Sequence, residues 1–257
     1  MGLADLHIHT VYSWDGMSAV SAVLKRAAEH TCLDVIAITD HDAIRGALEA
    51  RDLAPSYGME VIAGCEISTA DGHLLALFIE KLVPAGLSLQ ETIARIGAQG
   101  GLCVAAHPVA RGSGSLSREV IRQALQDSDL ARVLVGIEVF NAGLFFSRSN
   151  AIALALAETL PVAQVGNSDS HLLDTIGDGA TEFTGRTAAD LRLALENHTT
   201  RAIESSVLNK TRFLTSWVPR YLLRKAGWVV CNPAPQAPLR LGRVRTLTGA
   251  NSSIYGD

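Results

Sequence analysis

No two cysteines in this chain stand in a C-x-x-C arrangement: Cys32, Cys65, Cys103 and Cys231 are isolated in apolar surroundings. That spacing speaks against a disulfide frame or a zinc knuckle and for reduced, buried thiols, as expected in the cytoplasm. Charge of one sign is scarce as well. A formal net charge of -4 over 257 residues marks neither a general nucleic-acid binder nor a membrane binder. No run reaches the roughly 18 apolar residues of a membrane span, and the first strand pattern starts at once, leaving no room for a signal peptide. No membrane partner is expected. The G-x-S-x-G elbow is missing, and the cysteines fall within strand patterns rather than beside a base, so no covalent nucleophile announces itself.

What is present is an apolar fraction of 48%, enough for a sizeable core in one domain plus an appendage. Short apolar runs recur as ADLHIHT, DVIAITD, EVIAGCEIS, HLLALFI, LCVAAHP, GIEVFN and VAQVGNSDSH. Most are separated by segments of helical period, such as SAVSAVLKRAAEH, AIRGALEARDLAPSYG, SLQETIARIGAQG and SNAIALALAETL. The alternation predicts parallel βα units in an α/β fold. Seven such strands close into a distorted barrel or stay open as a doubly wound sheet, and periodicity alone leaves both open. The helix pattern over 187–198 reads as the last element of this body. Residues 1–204 are therefore expected to form the main domain and 205–257 an extension. The extension holds eight Lys/Arg against one acid, with prolines at 219, 233, 235 and 238. It reads as a helical appendage followed by a disordered tail.

The segment DLHIHT places His7 and His9 two residues apart, so in a strand both imidazoles point to one side and form a ready pair of metal ligands. Nearly every later strand pattern ends on a similar group: Asp40 and His41 in ITDHD, Glu66 in GCEIS, His107 in AAHP, Asp169 and His171 in GNSDSH. Parallel α/β architectures gather such C-terminal edges at one mouth. His73 opens HLLALFI, and Asp15 lies in SWDG after the first strand. So many ligand types on one rim exceed the needs of a single ion and imply two or three divalent ions. His30 and His198 lie near helix ends, where capping or surface roles are expected instead.

In this order, DLHIHT, SWDG, ITDHD, GCEIS, AAHP and NSDSH resemble the PHP (polymerase and histidinol phosphatase) superfamily of metal-dependent phosphoesterases, over roughly residues 3–205. The resemblance implies a distorted seven-stranded (β/α)7 TIM-like barrel carrying up to three manganese, iron or zinc ions. Position by position, it implies one ion on His7, His9, Glu66 and Asp169, a second on Glu66, His73 and His107, and a third on Asp15, His41 and His171. One departure is the tryptophan in SWDG, where many members read S-D-G. Asp5, Asp40 and Asp42 flank the ligands and are candidates to orient imidazoles, with helix capping an equal option for Asp42. Arg111 and Asn141 are candidates to bind substrate, and His107 or His171 to protonate the leaving group. The expected activity is hydrolysis of a small phosphomonoester, a nucleotide or nucleoside bisphosphate, by metal-activated hydroxide without a covalent intermediate. Three alternatives stand beside it: amide or ester hydrolysis on the same site, exonuclease action on short oligonucleotides, and a non-catalytic module binding nucleic acid through its basic tail. The sequence leaves the oligomeric state open.

Overall fold

Short β-branched runs, several buried on both faces, set the frame of the computed structural model, which describes residues 1–110, 114–143, 147–204, 210–226, 228–230 and 241–243. The strands are β1 (Gly2–Asp5), β2 (Val35–Ile38), β3 (Glu60–Ser68), β4 (His73–Leu77), β5 (Leu102–Ala105), β6 (Leu134–Asn141), β7 (Ala163–Asn167), β8 (Gly179–Phe183) and β9 (Arg201–Glu204). They form one sheet in the order β7-β6-β5-β4-β3-β2-β1-β8-β9. Because β8 and β9 also pack against β7, the sheet nearly closes into a barrel. The helices are α1 (Val20–His30), α2 (Arg45–Leu53), α3 (Leu89–Gly97), α4 (Arg118–Ala124), α5 (Ser128–Ala131), α6 (Ser147–Ala157), α7 (Ala188–Glu196) and α8 (Lys210–Lys225). A small hairpin pairs β10 (Trp228–Val230) with β11 (Leu241–Arg243).

Alternation along the strands divides the core. Val35, Ala37, Leu75, Leu77 and Val104 join one cluster with Leu191, Ala194 and Leu195 of α7, which packs there against strands from around the sheet. Their sequence neighbours Ile36 and Ile38 pack outward with Val20, Val23 and Leu24 of α1. Leu74, Ala76 and Cys103 do the same beneath α3, α4 and α6. A two-residue period on strands covered from both sides gives this split. Thr187 and Asp190 start α7 with a reciprocal capping box.

The barrel expectation holds, with corrections. The sheet has nine strands rather than seven. β8 (GATEF) and β9 (RAIE) mix polar with apolar positions and so give no apolar run. The helix after residue 187 is not the last element of the body, since β9 follows it. β4 is antiparallel to both β3 and β5. A tight turn joins it to β3, with Thr69 N donating to Gly72 O at 3.1 Å. Gly72 adopts φ 142°, backbone that favours glycine, and the preceding Asp71 completes a D-G hairpin signal. Cys32 is exposed rather than buried, whereas Cys65 and Cys103 are buried. Cys231 and most of the expected disordered tail lie outside the described residues, but Leu241–Arg243 within that tail is a strand paired with Trp228–Val230. Among the described residues, no helix is long and apolar enough to cross a membrane.

Candidate metal centre

Strand β1 ends at Asp5, but the chain stays extended through a parallel bridge between Ile8 and Ser170. His7 and His9 therefore leave the strand end into the barrel mouth, beside the segment that follows β7. A second bridge sets His41 beside Glu66. In the β3–β4 hairpin Glu66 opposes Leu75 and Ser68 opposes His73, so the two-residue period puts His73 on the face of Glu66. His107 follows β5, with its backbone N–H donating to Glu138 Oε2 at 2.6 Å. His107 and Asp169 adopt φ of 27° and 52°, left-handed backbone that costs about 1–3 kcal/mol each and is characteristic of functional turns.

Glu66 lies at the centre. Its Oε2 is 3.0 Å from His7 Nε2, 3.4 Å from His9 Nε2 and 3.3 Å from His41 Nδ1. Its Oε1 is 2.9 Å from His73 Nδ1 and 3.0 Å from His107 Nε2. Asp169 Oδ1 lies 3.4 Å from His7 Nε2 and 3.2 Å from His9 Nε2. Asp15 Oδ2 lies 2.9 Å from His171 Nε2 and 3.5 Å from His41 Nε2. All nine candidate ligands thus meet at one mouth, Asp15 included despite the intervening Trp14. His30 and His198 stay on the exposed surface.

Four groups place their ligand atoms close enough to share an ion: His9, Asp15, His41 and His171; His7, His9 and Glu66; His7, His107 and Asp169; His41, Glu66 and His73. Two ligands each about 2.0–2.2 Å from one ion lie about 2.8–3.6 Å apart. The imidazole–carboxylate separations of 2.9–3.5 Å fall in that range. Moreover, His9 Nε2 and His41 Nδ1 are buried and make no hydrogen bond, although carboxylate oxygens stand 3.2 and 3.3 Å away. Lone pairs aimed between oxygens rather than along a hydrogen-bond line suit a cation placed among them.

Flanking residues hold these ligands in place. The fully buried Glu138, which sequence reasoning passed over, accepts from His7 Nδ1 at 3.1 Å and from the amides of Asn141 and Asn167, both at 2.9 Å. Its signal was a lone carboxylate inside the apolar strand LVGIEVFN, since a charge is buried there only when it has partners. Asn141 is itself buried, its Nδ2 donating to Glu138 Oε2 and to Asp169 Oδ2 at 3.2 Å. Ser13 Oγ donates to Asp15 Oδ1 at 2.7 Å. Asp5 and Asp40 do not orient imidazoles. Asp5 accepts backbone N–H groups of Ser168 and Gly177, and Asp40 those of Thr10 and Ser13. Asp42 does not cap α2; it accepts from Ser68 N at 2.8 Å. Arg111 lies outside the described residues.

The electrostatics are those of a cation site. Burial alone would lower the His41 and His171 pKa values, but Glu66 and Asp15 lift His41, and Asp15 and Asp169 lift His171, both to about 9. Burial would likewise raise Asp15 and Asp169, yet the surrounding imidazoles hold both well below the usual carboxylate range. His9 is lowered to about 4 by burial and by the charge of His171. Where no metal is bound, protons on His41 and His171 balance these carboxylates. Histidines raised on folding stabilise the fold fully below the unfolded value near 6.5 and lose that contribution as pH rises through about 9. Asp5 and Asp40, pushed up to about 6 by burial, ionise below this window. The Tm of metal-free protein is therefore expected to fall between pH 7 and about 9.5 while divalent-metal affinity rises, because protons no longer compete. Thermal melts and equilibrium dialysis across that range check this; a flat Tm and a flat affinity contradict it.

The PHP domain model matches residues 5–187. An uncharacterized protein of Methanocaldococcus jannaschii is 41% identical over 149 residues, 54% of this chain and 81% of that protein. The phosphoribosyl 1,2-cyclic phosphate 1,2-diphosphodiesterase of Eggerthella lenta is 35% identical over 89 residues, 32% of this chain and 33% of its own length. The 3',5'-nucleoside bisphosphate phosphatase of Chromobacterium violaceum is also 35% identical over 89 residues, 33% and 30% respectively. A two-domain Bacteroides vulgatus protein containing a predicted PHP-like metal-dependent phosphoesterase superposes with a TM-score of 0.61 at 23% identity, covering 78% of this chain and 64% of that one. The ordered histidine and carboxylate motifs, the nearly closed barrel and the match over most of its length make this chain a member of the PHP domain family.

Proposed function

We propose that the protein hydrolyses a small phosphomonoester, a nucleotide or nucleoside bisphosphate, by direct attack of water without a covalent enzyme intermediate. The observation that carries this reading is Glu66, whose two buried oxygens are shared among five imidazoles, three on one oxygen and two on the other. A carboxylate placed among so many imidazoles would hold two neighbouring ions, and paired ions would supply two-metal phosphoryl chemistry there. We assign His7, His9, Glu66 and Asp169 to one ion, Glu66, His73 and His107 to a second, and Asp15, His41 and His171 to a third, the ions being manganese, iron or zinc. When bound, such ions supply Lewis acidity toward phosphoryl oxygens and lower the pKa of water.

The chain's own residues do the rest. Glu138 takes the Nδ1 proton of His7 in a hydrogen bond and so leaves Nε2 facing the mouth. Asn141 acts through Asp169, because both of its amide hydrogens go to carboxylates. His171, 15% exposed at the mouth, is the candidate to protonate the leaving oxygen through Nε2 where that nitrogen is not spent on an ion. His107, only 5% exposed, serves as a ligand. Arg111 is assigned to the substrate phosphate. Burial holds the Cys65 and Cys103 thiols protonated, which supports a route without a thiolate nucleophile. The two named relatives act on phosphate esters by their names, and this supports the substrate class.

The test is phosphate release with manganese across phosphomonoesters, nucleoside bisphosphates and short oligonucleotides, with metal counted on the same preparation. Selective release from a bisphosphate, abolished by chelation, is the expected result. Bound metal with no release from any of them overturns the reading in favour of amide or ester substrates.

A further inference from the structure

Helix α8 lies beyond the residues matched by the family model, yet it reaches back to the barrel mouth. Trp217, Tyr221, Arg224 and Lys225 recur at spacings of four and seven and so share one helical face. That face meets a single part of the site. Trp217 and the His171 ring meet in a T-shaped contact, 6.4 Å between centroids at 87°. Tyr221 stacks on Trp217 at 4.7 Å and meets Trp14 edge-on at 6.2 Å. Trp14 in turn stacks on His41 at 5.6 Å and 24°, with Lys225 Nζ 5.8 Å from its ring centre. Arg224 donates to the carbonyls of Val11 at 3.2 Å, Ser13 at 2.6 Å and Gly16, which bracket Asp15 on both sides.

Each member of the Asp15–His41–His171 set is therefore touched or braced from α8. His41 and His171 are braced through rings, and Asp15 through the backbone of its own loop. We propose that α8 is the outer wall of this third site and that Arg224 is its positioning residue, holding the Asp15 loop in ligating register. A planar guanidinium suits the task, since its fan of N–H donors reaches three carbonyls at once where an ammonium has one point of charge. The tryptophan that sets SWDG apart from S-D-G then has a use: it links His41 to the helix. The inference rests on the metal-centre reading above but makes a separate claim about which residues outside the family match complete it.

The experiment is equilibrium dialysis of the full chain against manganese alone, with bound metal counted by atomic emission and folding followed by circular dichroism. Wild type, Arg224→Met, Arg224→Lys and Trp217→Leu are compared. Arg224→Met is expected to keep two ions at wild-type affinity and to bind the third about 10–100-fold more weakly, the range for residues that orient ligands. Arg224→Lys is expected to recover part of the loss, and Trp217→Leu to weaken the same ion severalfold without touching the loop. If Arg224→Met does not fold, Arg224→Lys and Trp217→Leu decide the matter. Three ions at wild-type affinity in the folded variants overturn the wall, as does equal weakening of all three ions. A wild type that holds only two ions also overturns it, because no third ion is there to be held. A wild type that binds no manganese overturns the metal-centre reading itself.

Discussion

Glu66→Gln is expected to cut kcat/KM by roughly 10³–10⁴-fold while leaving the barrel folded. The replacement keeps size and shape but removes the one charge that stands between five imidazoles. A neutral amide is a poor bridge, and its NH₂ group turns a donor toward atoms that must also face a cation. Metal ions contribute several kcal/mol of transition-state charge stabilisation, and about 5 kcal/mol corresponds to the stated loss. Metal content should fall with activity, from its full complement to one ion or none. The imidazoles give an independent readout. Glu66 helps raise both His7 and His41, each against an opposing effect of burial, so both should titrate at lower pH in the metal-free variant. Full metal content and full turnover in Glu66→Gln would falsify the bridging role.

Removing metal from the wild type is the second large effect. With free metal at 100–1,000 times its dissociation constant, each ion that binds only the folded state adds about 2.7–4.1 kcal/mol. A chain of this size moves by about 2–4 °C per kcal/mol, so chelation is expected to lower Tm by about 10 °C for the tightest ion alone and to abolish turnover. Returning manganese should restore both. The effect is asymmetric in pH: near pH 7 protons on His41 and His171 soften the loss of metal, whereas near pH 9.5 the carboxylates are left with less opposing charge. Differential scanning calorimetry at the two pH values measures the contrast. A Tm that ignores the chelator at both would place the stabilising charge elsewhere.

Most of the ligands were legible because they fall at or near the ends of apolar runs, and the ends of parallel strands meet by geometry. His7, His9, Glu66, His107 and Asp169 needed no more than that. Closure of the sheet was harder to read. β8 and β9 are short and partly polar, and they are specified by antiparallel pairing to β1 and to each other rather than by hydrophobic pattern. Glu138 was hidden for the opposite reason. It stands within a strand instead of at its end, and only its partners, His7, Asn141 and Asn167, identify its task. The roles of Asp5 and Asp40 also turn on contacts across the fold. Each looked suited to an imidazole by proximity in sequence, but backbone N–H groups claimed both, Asp5's from as far away as Gly177. The wall built by α8 had no local signal at all, since nothing in residues 210–225 names the carbonyls of Val11, Ser13 and Gly16 as partners.

The junction beside β1 has a consequence for how the chain comes together in time. Leu6 N donates to Asn167 Oδ1 across a sequence separation of 161, and His7 meets Asp169 at the same seam. Contacts of such separation are slow to form, because a long loop must close before any of them is rewarded. A nascent chain halted before residue 167 holds five of the six clustered histidines but lacks Asp169 and His171. Stoichiometric metal capture should then coincide with the last kinetic phase of refolding, and a cobalt absorption band appearing in stopped-flow mixing would serve as a clock for barrel closure.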